Sequence, residues 1–590
     1  MSVQAILAPA CRAAAPLLVL AAAVVPFLPA LNNAFVTWDD DQVFLLNPRI
    51  RALSWDNVRW MFTTNGMGHY QPLTWLSIAL DCRLGGLNPR VFHRTNLLLH
   101  GLTATLFYFV CLRLLRAGFA DPTGRRAALR LGAAVAALFF AVHPLRVESV
   151  AWATERRDVL CGVFFAATIL FHLRAADSAT RRPRAAYALG VVCMALSLLA
   201  KAWGIALPVI LIAIDVVPLR RIQNAEGRWD SRAVRRALRE KLPHVFLALG
   251  GAVAALWAQG AHKMGVISLE RHGLSARLAQ AAYGIAFYPL RTLWPRDLAP
   301  LYEIPRTINL LSGAYVLAAA FAIVATVAAW RFRHRYPAWA AVWVCYLATV
   351  FPVLGVAQSG PQFVADRYSY LSCLGFALLA GAGVYAVARR GAILAVMTTI
   401  ATAIALGLLG RQTWQQTLVW RNTESLWTRV LAVSPDSSLA HDNFGTYWLI
   451  ERRDPDRAET HLRRAVALRP DNGHAWHNLG HCLAQRDRLD EALDAYRRGL
   501  SISPDPLRTR FDIGALLARR GEYAEAVQWF EQCVAGGFRV SESRRNLGYL
   551  YRTLGRTPDA VRQYRALLAL NPDDRAAQEG LNRTLQVRPP

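Results

Sequence analysis

The sequence predicts an all-α protein in two parts: a polytopic transmembrane helical domain, then a C-terminal α-solenoid of 34-residue repeats. Three observations predict it. Hydrophobic residues make up 54% of the 590. The long apolar runs fall almost entirely within residues 1–410, and each is close to the roughly 20 residues needed to cross hydrocarbon. Beyond residue 430 the chain reads as amphipathic helix with a fixed period. A chain this long divides into domains, and the composition breaks place them at 1–410 (multi-spanning), 411–437 (a linker helix) and 438–590 (repeats).

In chain order, Arg12 precedes an apolar run that ends near Leu31. No small-residue cleavage site stands out before Trp38-Asp39-Asp40-Asp41, so a retained signal-anchor helix is expected rather than a cleaved leader. Further spans are expected at about 95–115, 128–146, 156–174, 185–200, 203–219, 243–260, 310–330, 338–356, 368–388 and 391–410. Arginine clusters orient them. Arg113, Arg116, Arg125, Arg126 and Arg130 lie between the second and third spans, and Arg174, Arg181, Arg182 and Arg184 between the fourth and fifth. Loops rich in arginine stay in the cytoplasm, which puts the N-terminus inside and the loop 32–94 outside. Residues 275–295 are apolar enough to span, but counting them would place the basic RFRHRY stretch (331–336) outside. They are therefore expected as an interfacial or re-entrant helix. That gives about eleven crossings and an extracytoplasmic repeat array.

The formal net charge of +27 would suggest nucleic acid in a soluble protein. Here much of the arginine excess sits in short loops between apolar runs, so no nucleic-acid partner is expected. The nine cysteines are scattered, and most lie in apolar helices. Without a Cys-x-x-Cys pair or metal-ligand spacing they predict neither a disulfide framework nor a zinc site.

After residue 430 self-similarity is strong. Ala458, Ala492, Ala526 and Ala560 recur every 34 residues, each followed four positions later by Leu462, Tyr496, Phe530 or Tyr564. Gly445, Gly480, Gly514 and Gly548 mark the first helix of each unit, while Pro470, Pro504 and Pro572 close three of them. The alanine lets paired helices approach and the aromatic fills the space beside it. This register identifies tetratricopeptide repeats, which stack into a superhelix whose concave groove commonly binds peptide. Capping of the membrane domain or self-association is the competing role.

Polar residues concentrate on the side opposite the arginine-rich loops. Asp39, Asp40 and Asp41 follow the first span; adjacent carboxylates at a membrane surface repel one another and raise at least one pKa. Tryptophan-rich stretches at 54–60 and 70–75 favour the headgroup interface. A second island runs from His143 through Arg146 and Glu148 to Glu155, Arg156, Arg157 and Asp158. Lys201 and the run Asp366-Arg367-Tyr368 complete it. Cations that break the inside-positive trend are functional by default. Together with the carboxylates they suggest an anionic substrate, with phosphate the natural match for arginine.

These islands, in this order, resemble the transmembrane and tetratricopeptide repeat-containing O-mannosyltransferases and their bacterial relatives, within the GT-C superfamily of polyprenyl-phosphate-sugar glycosyltransferases. The stretches that carry the resemblance are WDDDQVFLLNP (38–48), FHRTNLLLHG (92–101), HPLRVESVAWATERRDVL (143–160), LLAKAWGIALP (198–208), ADRYSYLSCLGF (365–376) and WRNTESLW (420–427). The chain departs from the family at Lys201-Ala202, where Lys-Glu is common, and at Glu155-Arg156-Arg157-Asp158, where Gly-Arg-Ala-Asp is common. The resemblance implies a membrane enzyme of the bacterial inner membrane that moves a sugar, mannose by family, from a polyprenyl-phosphate donor to Ser/Thr of exported proteins. It also implies inversion at the anomeric carbon, with the repeats binding the acceptor polypeptide. A lipid or polysaccharide acceptor and a non-catalytic membrane scaffold are the alternatives. By motif the catalytic base falls on Asp39 or Asp40. His143, Glu148, Arg156, Asp158, Lys201, Asp366, Arg367 and Tyr368 are the expected substrate contacts. The carboxylates are compatible with metal-assisted and metal-free chemistry alike.

Overall fold

The computed structural model describes residues 15–119, 126–224, 226–260, 272–355, 360–502 and 506–586. Arg12, the start of the first expected span, Arg125 and Pro504 lie outside the described residues. The described chain is mostly helical, with a two-stranded antiparallel ribbon that pairs Tyr302–Glu303 with Gln362–Val364. It divides into two compact units, Met1–Arg429 and Val430–Pro590.

Among the described residues of the first unit, seven helices are long and apolar enough to cross a membrane. Two further pairs qualify if each bent pair is one span, Arg126–Ala141 with Pro144–Ala151 and Asp366–Ser372 with Leu374–Ala388, bent by 56° and 57°. Ala202–Val216 and Pro337–Val353 are apolar but shorter. Each expected span falls on one of these elements, although length and composition alone support seven to nine rather than eleven. Residues 275–295 form the helix Leu274–Leu293, whose buried face carries Arg277 and Gln280, and it is not among the apolar spans.

Large apolar side chains point away from the protein along several of these helices. Phe246 is 70% exposed on Ser231–Gly260, Leu317 72% on Gly313–Arg331 and Ile393 77% on Ala392–Thr417. Such runs would be costly in water and mark a lipid-facing wall. Tight crossings between spans use small residues. A Cβ on Gly132 would lie 2.7 Å from the carbonyl oxygen of Gly381, so the helices that carry them pack backbone to backbone.

The bends position the site. Pro144 cannot extend the helix that ends at Ala141, and the chain resumes through the turn Pro144–Arg146 into Val147–Ala151. The second bent pair opens with the turn Asp366–Tyr368 and bends at Cys373, between Asp366–Ser372 and Leu374–Ala388. The two turns meet: the Arg367 backbone N–H donates to Glu148 Oε2 at 2.8 Å, and the two side chains form an ion pair.

The described residues of the second unit form four helix pairs and a further helix, Arg575–Gln586. Ala458, Ala492, Ala526 and Ala560 are all fully buried. The aromatics pack where the first helices carry glycine. A Cβ on Gly480 would come within 2.6 Å of the Tyr496 ring, and one on Gly548 within 2.7 Å of Tyr564.

Candidate active site

The three adjacent aspartates have different surroundings. Asp40 is 1% exposed. Its Oδ2 accepts the Val36 N–H at 2.9 Å, and its Oδ1 accepts the Thr154 N–H at 3.1 Å and the Thr154 hydroxyl at 2.6 Å. The Asp41 carboxylate accepts from the neighbouring Gln42 amide. Asp39 is half-buried, and among the described residues its carboxylate accepts no hydrogen bond. It faces the charges of Arg157 and Arg367. Burial pushes the Asp39 carboxyl up to about 7, against the pull of Arg157 and Arg367. Burial also pushes Asp40 up to about 7, against its bonds from Thr154 and Val36. Removal from water disfavours the charged form of both.

Beside Asp39 lies a network of alternating charge. Arg157 donates to Glu155 from Nε at 3.0 Å and from Nη2 at 2.6 Å. Lys201 bridges Glu155 Oε2 at 2.9 Å and Asp158 Oδ1 at 2.7 Å. Asp158 also accepts from Trp203 Nε1 and the Ser149 hydroxyl. Arg367 approaches Glu155 at 3.4 Å and pairs with Glu148, lying over Trp152 and Tyr368. Three cations and three carboxylates thus neutralise one another in a setting where an isolated charge would be prohibitive. Lys201 keeps 17% of its side chain exposed and Arg367 11%, enough to meet a ligand.

Two expected contacts lie apart from this network. Arg156 is fully buried and donates to Asn96, Ser77, Asp81 and the Phe92 carbonyl oxygen. Neighbouring residues on a helix point in different directions, so Arg157 reaches the network while Arg156 bolts Arg156–Ala175 to Pro72–Gly85 and Pro89–Phe119. Arg156, expected as a substrate contact, thus lies among these bonds and away from the charged network. His143 uses both nitrogens, Nε2 on the Thr292 carbonyl and Nδ1 on the Leu145 N–H, and is 1% exposed. These bonds hold the turn. Asp366 accepts the Tyr302 hydroxyl at 3.0 Å, and the Tyr368 hydroxyl accepts from Gln362 at 2.8 Å. Both brace the Arg367 turn. Among the described residues no three His, Cys, Asp or Glu side chains are grouped to hold a metal ion.

Models of the tetratricopeptide repeat match residues 449–506, 508–536 and 545–581. Protein O-mannosyl-transferase TMTC1 of Homo sapiens is 25% identical over 505 residues, which is 76% of this chain and 54% of the relative. Protein O-mannosyl-transferase Tmtc3 of Drosophila melanogaster is 25% identical over 479 residues, 72% of this chain and 51% of the relative. TMTC4 of Homo sapiens is 33% identical over a shorter 171 residues, 27% of this chain and 23% of the relative. The chain is a homologue of the TMTC protein O-mannosyl-transferases. It spans about half the length of the first of these relatives.

The mannosyl-transferase homologue also carries site residues outside the expected substrate contacts. Glu155 and Arg157 sit at the centre of the network, although only their neighbours Arg156 and Asp158 were expected to touch substrate. His69 lies half-buried between the helices Trp55–Thr63 and Pro72–Gly85. Burial and the charges of Arg157 and Lys201 hold its pKa well below the usual imidazole range, so it faces the network neutral. Its loop has no distinctive pattern, and no sequence signal marks it. The WRNTESLW segment walls the aspartate loop. The Ala34 N–H donates to the Arg421 carbonyl at 2.9 Å and the Thr37 N–H to the Thr423 hydroxyl at 3.0 Å. Trp38 packs edge-on to Trp427 with ring centroids 5.0 Å apart, and Trp152 stacks on Trp420 at 5.3 Å.

Proposed function

We propose that this protein transfers mannose from a polyprenyl-phosphate donor to Ser or Thr of exported polypeptides, with inversion and with Asp39 as the base. The observation that carries this reading is one carboxylate that, among the described residues, accepts no hydrogen bond, set beside a cluster of arginine and lysine. In the reaction the acceptor oxygen bonds to sugar C1 as the C1–O bond to phosphate breaks. The hydroxyl proton passes to Asp39, and polyprenyl phosphate leaves with the electron pair and the extra negative charge. Asp39 suits the proton step because a base works best when its pKa lies near the working pH. Arg157, Lys201 and Arg367 suit the leaving group, whose charge grows in the transition state. Asp40, tied to Thr154 and Val36, holds Asp39 in place.

The site opens on the extracytoplasmic side under the inside-positive orientation, in a bacterial inner membrane, and the repeats hold the acceptor polypeptide. The protein O-mannosyl-transferase activity of the homologues supports protein O-mannosylation over a lipid or polysaccharide acceptor. An unpartnered carboxylate beside three cations favours an enzyme over a scaffold. Exported glycoproteins from cells carrying the wild-type chain or Asp39→Asn test the reading. Loss of protein-linked mannose in the variant is expected. Unchanged mannosylation with equal protein levels would reject Asp39 as the base.

A further inference from the structure

A second recess lies in the first unit, separate from the charged network. It is a cavity of about 300 Å³, at the lower end of the roughly 300–1,000 Å³ typical of ligand pockets. Its walls carry Gln412, Gln415, Gln416, Arg296, Asp297 and Arg429. The glutamines stand at i, i+3 and i+4 near the end of the helix Ala392–Thr417, so they share one face. The opposite face packs inward, with the Thr413 hydroxyl donating to the Val142 carbonyl at 2.6 Å.

Little here is used up by the fold. Gln416 makes a long contact of 3.4 Å with the Leu298 carbonyl, and Arg429 donates to the same oxygen at 2.9 Å. Among the described residues the amides of Gln412 and Gln415 and the Asp297 carboxylate have no partner. Asp297 also holds a left-handed backbone, φ 52°, which costs a non-glycine residue energy and clusters at functional sites. The cavity adjoins the active site through two residues. Pro144, at the turn that presents Glu148, lines it. Val419 lines it too and precedes Trp420, which stacks on Trp152 beneath Arg367.

We infer that this cavity is a subsite for the backbone of the acceptor polypeptide close to the residue that receives the sugar. The inference rests on the proposed function and deepens it. A primary amide carries donor and acceptor in the same plane as a peptide group, so a row of glutamines pairs with an extended backbone without reading its side chains. Arg296, Arg429 and Asp297 supply charged donors and an acceptor at its ends. A sugar is the poorer fit, because among the described residues no aromatic ring lines the cavity to stack on a pyranose face.

The test uses the full-length protein in lipid nanodiscs with a polyprenyl-phosphate mannose and a synthetic threonine-containing peptide that bears a benzophenone. Irradiation is expected to place cross-links on residues 295–298 and 412–416. Gln412→Leu with Gln415→Leu, both exposed positions that the fold tolerates, is expected to raise the peptide KM by about tenfold, with the donor KM moved less than about twofold. Arg296→Gln, on the facing wall, is expected to act in the same direction. An active wild type whose peptide KM is unchanged in all variants overturns the subsite and leaves the proposed function standing. A raised donor KM, or a mannan oligosaccharide that blocks cross-linking while the peptide does not compete, reassigns the cavity to sugar and overturns it too. A wild type that mannosylates no polypeptide overturns the proposed function, and the subsite with it.

Discussion

At the scale of single residues, neighbours in sequence have separated tasks. Asp40 and Arg156 are enclosed by hydrogen bonds, whereas Asp39 and Arg157 face the charged recess. Arg156→Ala should therefore act on folding. It strands Asp81 in a buried site, and breaking such a pair costs about 3–5 kcal/mol; thermal unfolding of the detergent-solubilised protein would report it. Arg157→Gln leaves Glu155 with Lys201 and Arg367 as partners, so it should cost less in unfolding than Arg156→Ala and weaken donor binding, read as a higher donor KM. With burial raising Asp39 to about 7, the base is protonated on the acid side. The rate should then rise with pH through about 7 and fall about tenfold per unit below it. A profile flat between pH 5 and 8 would exclude Asp39 as the titrating base. None of this division was legible in the sequence. Three adjacent aspartates look alike until Thr154, far along the chain, is seen to bond one of them. The choice between Arg156 and Arg157 depends on helix phase, which Asp81 and Asn96 settle from other elements.

At the scale of elements, pattern made more of the protein legible. Long apolar runs announce themselves because only a helix satisfies its own backbone in lipid, and each expected span has a helix in the structure. Two of them, Ala202–Val216 and Pro337–Val353, are shorter than a full span. The first begins in the turn beside Lys201, so its polar start serves the site rather than the crossing. The repeats were legible because one small-residue register holds through four units. That register makes a prediction: Gly480→Val should drive a side chain into Tyr496, 2.6 Å from the new Cβ, and destabilise the repeats by about 1–3 kcal/mol, seen as a lower denaturation midpoint. The segment 420–427 carries motif residues, but its task as a wall for the aspartate loop emerges only from pairings such as Trp38 with Trp427. Trp427→Ala should lower kcat more than it raises donor KM, because the loop that carries Asp39 loosens while the cations stay. Trp427→Phe should restore much of the loss.

At the scale of the whole molecule, the proposed account joins a lipid-facing helical unit with a mannosyl-transferase site to a repeat unit able to bind protein. The +27 charge reads as an orienting device across the membrane. On the proposed orientation, a reporter fused after Pro590 should be active only outside the cytoplasm. A cytoplasmic reporter would separate the repeats from any acceptor handled at the outer face. The central claim is chemical and is tested most directly by the initial rate of mannosyl transfer in purified full-length protein, wild type against Asp39→Asn and Asp40→Asn at saturating donor. Loss of the base predicts a fall of about 10²–10⁴-fold for Asp39→Asn, with a smaller fall for Asp40→Asn, whose amide can still accept from Thr154. An Asp39→Asn enzyme that turns over at the wild-type rate would contradict it.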